Sequence, residues 1–240
     1  MIKFLRSKFF AHIIGKRCQV CSRVLEGVHY GIMLCSDCAD QLVPRTGGYC
    51  AMCARVYALD DESTHLCLDC RLKPVLWDGI AFHSVYQGLL RDMIIRYKFN
   101  ADLGLGNVLG SLLYEAASNH HYEYLDWIIP VPLHDIRLQS RGFNQSLELS
   151  RILGKKTKLP VLKDVLVKVR HTPPQSSMGK KSRLKSLKGV FQVRTDIVKN
   201  SRIILVDDIM TTGSTLKECS KVLLEAGVAE IRVAILSRAV

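Results

Sequence analysis

No run of eighteen or more apolar residues occurs in this 240-residue chain, so no membrane-crossing helix is expected. Aromatic residues are sparse at 7%, and those nearest the most basic stretch are Phe143 and Phe191, so base stacking is not strongly signalled. Acidic residues are outnumbered 22 to 34 by Lys and Arg, a net charge of +12. Hydrophobic residues at 48% and charged residues at 23% exclude wholesale disorder and fibrous classes. At the N-terminus, Lys3, Arg6 and Lys8 interrupt the apolar residues, and no small-residue cleavage site follows. The expectation is therefore no signal peptide but a short amphipathic helix docked on its own domain, with no stable membrane insertion and a cytoplasmic location.

The excess charge is concentrated. Residues 151–202 hold 15 Lys/Arg against Asp164 and Asp196. The remainder is nearly neutral, with 19 Lys/Arg and 20 Asp/Glu. Such a block attracts phosphate-bearing partners: nucleotide, nucleic acid or lipid head group. Its bland alternative is a solubilising face.

Of the nine cysteines, eight form four C-x-x-C pairs: Cys18/Cys21, Cys35/Cys38, Cys50/Cys53 and Cys67/Cys70. Thirteen residues separate the first pair from the second and the third from the fourth, which makes an internal repeat of two units. A C-x-x-C knuckle puts two thiolates on one tight turn, and two knuckles complete a four-sulfur tetrahedron. Two zinc ions are expected. The simplest scheme puts one on Cys18, Cys21, Cys35 and Cys38 and the other on Cys50, Cys53, Cys67 and Cys70, although spacing alone also allows exchange between the halves. With no ligand missing, both sites look structural. Disulfides fit poorly, because reducing compartments keep such thiols free. His65 is surplus as a ligand, and Cys219 falls in a helical pattern as a buried core thiol.

Beyond the knuckles, apolar periodicity predicts alternating elements. Strands are expected over 79–86, 126–131, 165–169, 202–206 and 230–236. Helices are expected over 89–99, 103–117, 146–153 and 214–226. The alternation argues for an α/β parallel sheet with helices on both faces, preceded by a small cysteine-rich module. The division is 1–75 for the module and 76–240 for the sheet domain. Residues 171–188 lack apolar periodicity and read as a long functional loop.

Residues 203–215 carry the strongest motif, Ile-Ile-Leu-Val-Asp-Asp-Ile-Met-Thr-Thr-Gly-Ser-Thr. An apolar strand delivers Asp207 and Asp208 to the edge where open α/β sheets bind ligands. Thr211–Thr215 then make a hydroxyl-rich turn opening a helix. Gly213 permits close backbone approach, and N–H groups with hydroxyls can cradle a phosphate. The carboxylates suit ribose hydroxyls or Mg²⁺. Together these make a ribose-5-phosphate site.

This run resembles the phosphoribosyl pyrophosphate (PRPP) motif of type I phosphoribosyltransferases. The resemblance implies that Asp207 and Asp208 contact the ribose hydroxyls, directly or through Mg²⁺, and are the catalytic candidates. It implies that Thr211, Thr212, Gly213, Ser214 and Thr215 hold the 5-phosphate. Ile129-Pro130-Val131-Pro132, Arg141-Gly142-Phe143-Asn144-Gln145, Thr172-Pro173-Pro174-Gln175 and Arg183 with Gly189-Val190-Phe191 further resemble the ComF family of competence proteins. That family joins cysteine knuckles, a double zinc ribbon, to a phosphoribosyltransferase-like domain. Where the family usually has Asn, Ser186 stands here. On that fold, residues 131–134, including Pro132, would receive pyrophosphate, with Arg137 and Arg141 beside it. The loop 171–188 would cover the site.

The resemblance implies a role in natural transformation, DNA uptake or DNA utilisation. It implies single-stranded DNA as a partner, with a DNA-uptake helicase or recombination proteins as further partners. Lys180, Lys181, Arg183, Lys185 and Lys188 are the expected nucleic-acid contacts. The other reading is an active phosphoribosyltransferase. No general base and no base-binding segment stand out, so its acceptor is unidentified.

Overall fold

The computed structural model describes residues 16–25, 32–57, 64–118, 124–170 and 189–239. The N-terminal segment 1–15 lies outside the described residues. So does the loop 171–188 with Lys180, Lys181, Arg183, Lys185 and Lys188.

The cysteine-rich segment is built twice, the second unit following thirty-two positions after the first. In each, a knuckle turns on a left-handed residue, Ser22 at φ 63° and Ala54 at φ 52°. The N–H of Cys18 donates to the Arg23 carbonyl at 2.8 Å, and that of Cys50 to the Arg55 carbonyl at 2.9 Å. Each second knuckle opens a one-turn helix, α1 (Ser36–Asp40) and α2 (Leu68–Leu72). Arg23 pairs with Asp37 and Arg55 with Asp69, tying the two knuckles of each unit together.

Next come β1 (Gly79–Val85), α3 (Gly88–Phe99), α4 (Leu105–Ser118) and β2 (Trp127–Pro130). Then follow α5 (Asp135–Arg141), α6 (Gln145–Thr157), β3 (Leu166–Lys168), β4 (Phe191–Val193), β5 (Arg202–Met210), α7 (Ser214–Glu225) and β6 (Glu230–Arg238). Four strands form a parallel sheet in the order β1-β6-β5-β2. The central strands are covered on both faces, so Ile203–Val206 and Val233–Leu236 are continuous apolar runs with almost no exposed surface. Helices α3, α4 and α6 fill one face, and α7 the other.

The cysteine units divide between these two cores. Cys18, Cys35, Cys38 and Leu42 pack with α3 and α4, whereas Ala54 packs with Trp77, Met210 and Leu216 beneath α7. The module thus clasps the β1 edge from both faces. Arg96 of α3 donates to the Val20 carbonyl at 2.9 Å, and the Arg45 N–H to the His83 carbonyl at 2.8 Å.

Helix α5 was not among the expected elements, and two expected strands differ from the structure. The strand expected at 165–169 stays out of the parallel sheet and pairs antiparallel with β4 as a separate ribbon. Periodicity reports an extended segment but not its partner, and β4, at three residues, is too short to show a pattern. The strand expected to end at Val206 continues to Met210, because Asp207, Ile209 and Met210 still pair with Ile235, Ser237 and Arg238. The two carboxylates therefore sit within a hydrogen-bonded strand.

Candidate ribose-phosphate cleft and cysteine tetrads

A cleft of about 350 Å³ opens over the C-terminal ends of β5 and β2. Its floor is Asp207 and Asp208. The Ser146 hydroxyl donates to Asp207 Oδ1 at 2.9 Å, and the Asp208 N–H donates to the same atom at 2.9 Å. Asp208 Oδ2 lies 2.6 Å from Lys98 Nζ, both groups being largely shielded from water. Burial pushes the Asp207 carboxyl up to about 7, and the charge of Asp208 adds to the shift. Lys98 and the hydrogen bonds from Asp208 and Ser146 oppose it without cancelling it. The cleft floor therefore pairs one carboxylate, Asp208, with a cation and holds the other, Asp207, well above the usual carboxylate range.

The turn of Thr211–Thr215 lies alongside. Gly213 takes a left-handed φ of 74° immediately before α7, and an added Cβ there would meet Met210 Sδ at 3.3 Å. A small recess of about 40 Å³ is lined by Asp207, Thr211, Gly213, Ser214 and Thr215. The Thr212 and Ser214 hydroxyls share a hydrogen bond of 2.7 Å, which fixes the turn from within. The N-terminal end of α7 faces this recess, where the Ser214 N–H donates to Thr212 Oγ1 at 3.4 Å.

Residues 141–145 explain themselves residue by residue. Gly142 is the left-handed cap that ends α5 at φ 80°. Asn144 caps α6, accepting from the N–H groups of Ser146 and Leu147 at 3.0 and 3.4 Å. Its amide also donates to the Val131 carbonyl at 3.2 Å, which ties the cap to the loop after β2. Phe143 packs edge-on against Tyr97. Arg141 donates to Gln145 Oε1 at 2.7 Å and lies over the Phe99 ring at 5.1 Å. Pro132, Arg137 and Arg141 all line the cleft.

Four cleft residues escaped the sequence reading. Lys98 lies at the end of an ordinary amphipathic helix, and Lys168 sits on the strand that was expected in the parallel sheet and pairs with β4 instead. Burial, helped by the charge of Arg137, lowers the Lys168 ammonium to about 8. Ser146 and Phe99 carry no motif. Only their distance from Asp207 and Arg141 in three dimensions reveals them.

Behind the Thr211–Thr215 turn stands the second cysteine unit. Arg238 at the end of β6 donates to the carbonyls of Cys53 at 3.2 Å and Met210 at 3.0 Å, and also to that of Thr211. The Trp77 indole donates to the Met52 carbonyl at 2.6 Å, and its ring lies beside Gly213.

The structure gathers the eight knuckle thiols as Cys18, Cys21, Cys35, Cys38 and Cys50, Cys53, Cys67, Cys70, with all sulfurs of a set within 4.8 Å of one another. Cys21 and Cys35 Sγ are 3.6 Å apart, and Cys53 and Cys67 Sγ 3.8 Å apart. A tetrahedron with Zn–S bonds of about 2.3 Å has an edge near 3.8 Å, so the sets fit zinc. At Cys18, burial resists ionisation, but N–H groups of Cys21, Cys35 and Val20 outweigh it and pull the thiol down to about 6. His65 stacks on Tyr57 instead of joining a set, and Cys219 is buried in the sheet core. The cleft offers the carboxylate oxygens of Asp207 and Asp208, donors of the kind that suit Mg²⁺.

Residues 125–239 match the phosphoribosyl transferase domain, and residues 10–71 match the double zinc ribbon domain. Competence protein F of Haemophilus influenzae is 36% identical over 214 residues, covering 86% of this chain and 90% of that protein. Competence protein ComFC of Streptococcus pneumoniae is 31% identical, covering 83% and 84%. DNA utilization protein YhgH of Salmonella typhimurium is 30% identical, covering 92% and 96%.

Proposed function

The chain belongs to the family of competence protein F and its ComFC relatives, and from that premise we propose that it serves DNA uptake or DNA utilisation, handling single-stranded DNA and binding PRPP or a related ribose phosphate in the cleft. The observation that carries the reading is the convergence on one 350 Å³ cleft of an acidic floor, a phosphate turn and the four cations Lys98, Arg137, Arg141 and Lys168. Each part matches one part of a sugar phosphate. Thr211–Thr215 with the α7 N-terminus hold the 5-phosphate. Asp207 and Asp208 take the ribose hydroxyls, with Lys98 yielding or sharing Asp208. Arg137, Arg141 and the N–H groups after β2 meet further phosphate oxygens, for which planar guanidinium forks are suited.

Mg²⁺ would enter with PRPP, held by Asp207 and phosphate oxygens, and would supply charge neutralisation at the pyrophosphate. The residues themselves bind, orient and shield. Buried Asp207 and Ser146 set the ribose, and the cationic wall offsets the phosphate charge. A second reading, phosphoribosyl transfer to an acceptor, is favoured by the intact 203–215 run. The +13 block of 151–202 favours polymer contacts outside the cleft, because a mononucleotide reaches only a few of its 15 cations.

The experiment is a calorimetric titration with Mg²⁺–PRPP and with single-stranded DNA, alone and in competition. Binding of both supports the proposal. Binding of PRPP without any DNA binding at low salt leaves the transferase reading ahead, and failure of PRPP to bind removes the sugar-phosphate assignment.

A further inference from the structure

The C-terminal end of α3 contributes Lys98 and Phe99 to the lining of the cleft. The helix's apolar residues Leu90, Met93, Ile94 and Tyr97 are buried, as an amphipathic helix requires. Phe99 breaks that pattern. It lines the cleft and is 70% exposed. Nor is the ring loose. The Arg141 guanidinium lies 5.1 Å from its centroid, and its hydrogen bond to Gln145 Oε1 at 2.7 Å holds that guanidinium in turn. Burial keeps the Arg141 pKa below its usual value, so its charge is partly desolvated over the ring. Lys98, one residue earlier, points inward to Asp208. Two adjacent residues thus present a cation to the polar floor and an aromatic surface to the mouth.

We propose that Phe99 is the stacking platform for a nucleobase whose sugar phosphate occupies the cleft. A ring backed by a guanidinium and otherwise open to solvent offers a flat π-surface at little ordering cost. Every nucleobase has a matching face, so such a platform tolerates any sequence. Phe99 lies far in sequence from the basic block of 151–202, which is why aromatic residues near that block give no sign of it. The base can belong to a free nucleotide or to one position of a single strand; the chemistry is the same. The inference rests on the cleft's taking a sugar phosphate.

The test uses the full zinc-loaded chain and the variants Phe99→Ala and Phe99→Trp. Five ligands are compared: Mg²⁺–PRPP, ribose 5-phosphate, AMP, an oligothymidylate, and an abasic oligonucleotide of equal length. Wild-type protein should bind AMP more tightly than ribose 5-phosphate, or oligothymidylate more tightly than the abasic strand. Phe99→Ala should erase that preference, a loss of about 5- to 150-fold for the base-bearing ligand, from the usual worth of one stacked base. Any change in its affinity for PRPP and the abasic strand, passed on through Arg141, should be much smaller than that loss. Phe99→Trp should keep the preference and show indole quenching by base-bearing ligands only. The AMP and oligonucleotide arms tell a free nucleotide from a strand. The proposal is overturned if wild-type protein shows no preference for a base in either arm, or if Phe99→Ala weakens abasic and base-bearing ligands equally. Loss of binding to every ligand in wild-type protein, PRPP included, instead refutes the sugar-phosphate reading on which the platform stands.

Discussion

Lowering the pH from 8 to 5 should weaken Mg²⁺–PRPP binding far more in the wild-type chain than in Asp207→Asn. The reason lies in the position of Asp207 on a buried strand beside Asp208, which raises its carboxyl to about 7. A raised value means that the free protein holds the proton tightly. A ligand that needs the anion must expel that proton, so affinity climbs with pH through about 7 and levels off above it. A group titrating near 7 is roughly one-tenth ionised at pH 6 and one-hundredth at pH 5, so the Asp207 contribution falls about tenfold per pH unit below 7. At pH 8 the Asn variant should bind about 10- to 100-fold more weakly, the usual worth of hydrogen bonds to a charged group. By pH 5 the two proteins should converge. The phosphates of PRPP also titrate near pH 6, and the variant supplies that background because it shares the ligand and lacks the carboxyl. The titration belongs to the pair, so Lys98→Met should move the midpoint upward by removing the cation that favours ionisation. Calorimetry at pH 5, 6, 7 and 8 with excess Mg²⁺ reads all three proteins. Parallel curves for wild type and Asp207→Asn would refute the reasoning.

Elemental analysis of untagged protein should find close to two zinc ions per chain, and Cys18→Ser should cost folding of the cysteine-rich segment, because binding energy at a structural site is folding energy; a ratio near zero with thiols oxidised in pairs removes the zinc assignment. Single-stranded DNA binding should fall with salt at a log–log slope of about −0.7 per phosphate contacted. The combined change of Lys180, Lys181 and Lys185 to Gln should flatten that slope, and an unchanged slope places the contacts elsewhere. His83 is fully buried on β1, and burial lowers its pKa to about 4 against the opposing backbone contact with Leu42. Because the folded value lies below the unfolded 6.5, its contribution is complete above about pH 6.5 and is lost as pH falls toward 4. Denaturant unfolding should show about 2 kcal/mol of extra destabilisation at pH 5, absent in His83→Gln; equal pH profiles would show that His83 is not the group.

Repetition made the cysteine units legible: four C-x-x-C pairs at equal spacing leave little room for another architecture, and residues 203–215 announce their own turn. The parallel sheet followed from unbroken apolar runs such as Ile203–Val206. What could not be read was pairing across the chain. Lys98 meets Asp208 over more than a hundred residues, and Ser146 reaches Asp207 across sixty-one. Neither side chain differs locally from a surface lysine or a helix-capping serine. The antiparallel partner of β3 was hidden because three residues carry no period. Phe99 was hidden for a converse reason, since a hydrophobic residue at a helix end reads as core until its exposure is seen.

The Arg238 guanidinium and the Trp77 indole make one wall serve two sites: the carbonyls of Met52 and Cys53 on one side, the phosphate turn at Met210, Thr211 and Gly213 on the other. Two ligands that order the same wall must help each other bind, and by equal amounts. Metal starvation would then loosen the grip on sugar phosphate before the sheet itself melts. In return, bound PRPP should slow chelator-driven zinc release from the Cys50–Cys70 set, and Arg238→Ala should abolish that protection; zinc release indifferent to PRPP would show the two sites to be merely neighbours. With that protection seen, the small metal module would be a structural wall of the cleft and not a detachable appendage.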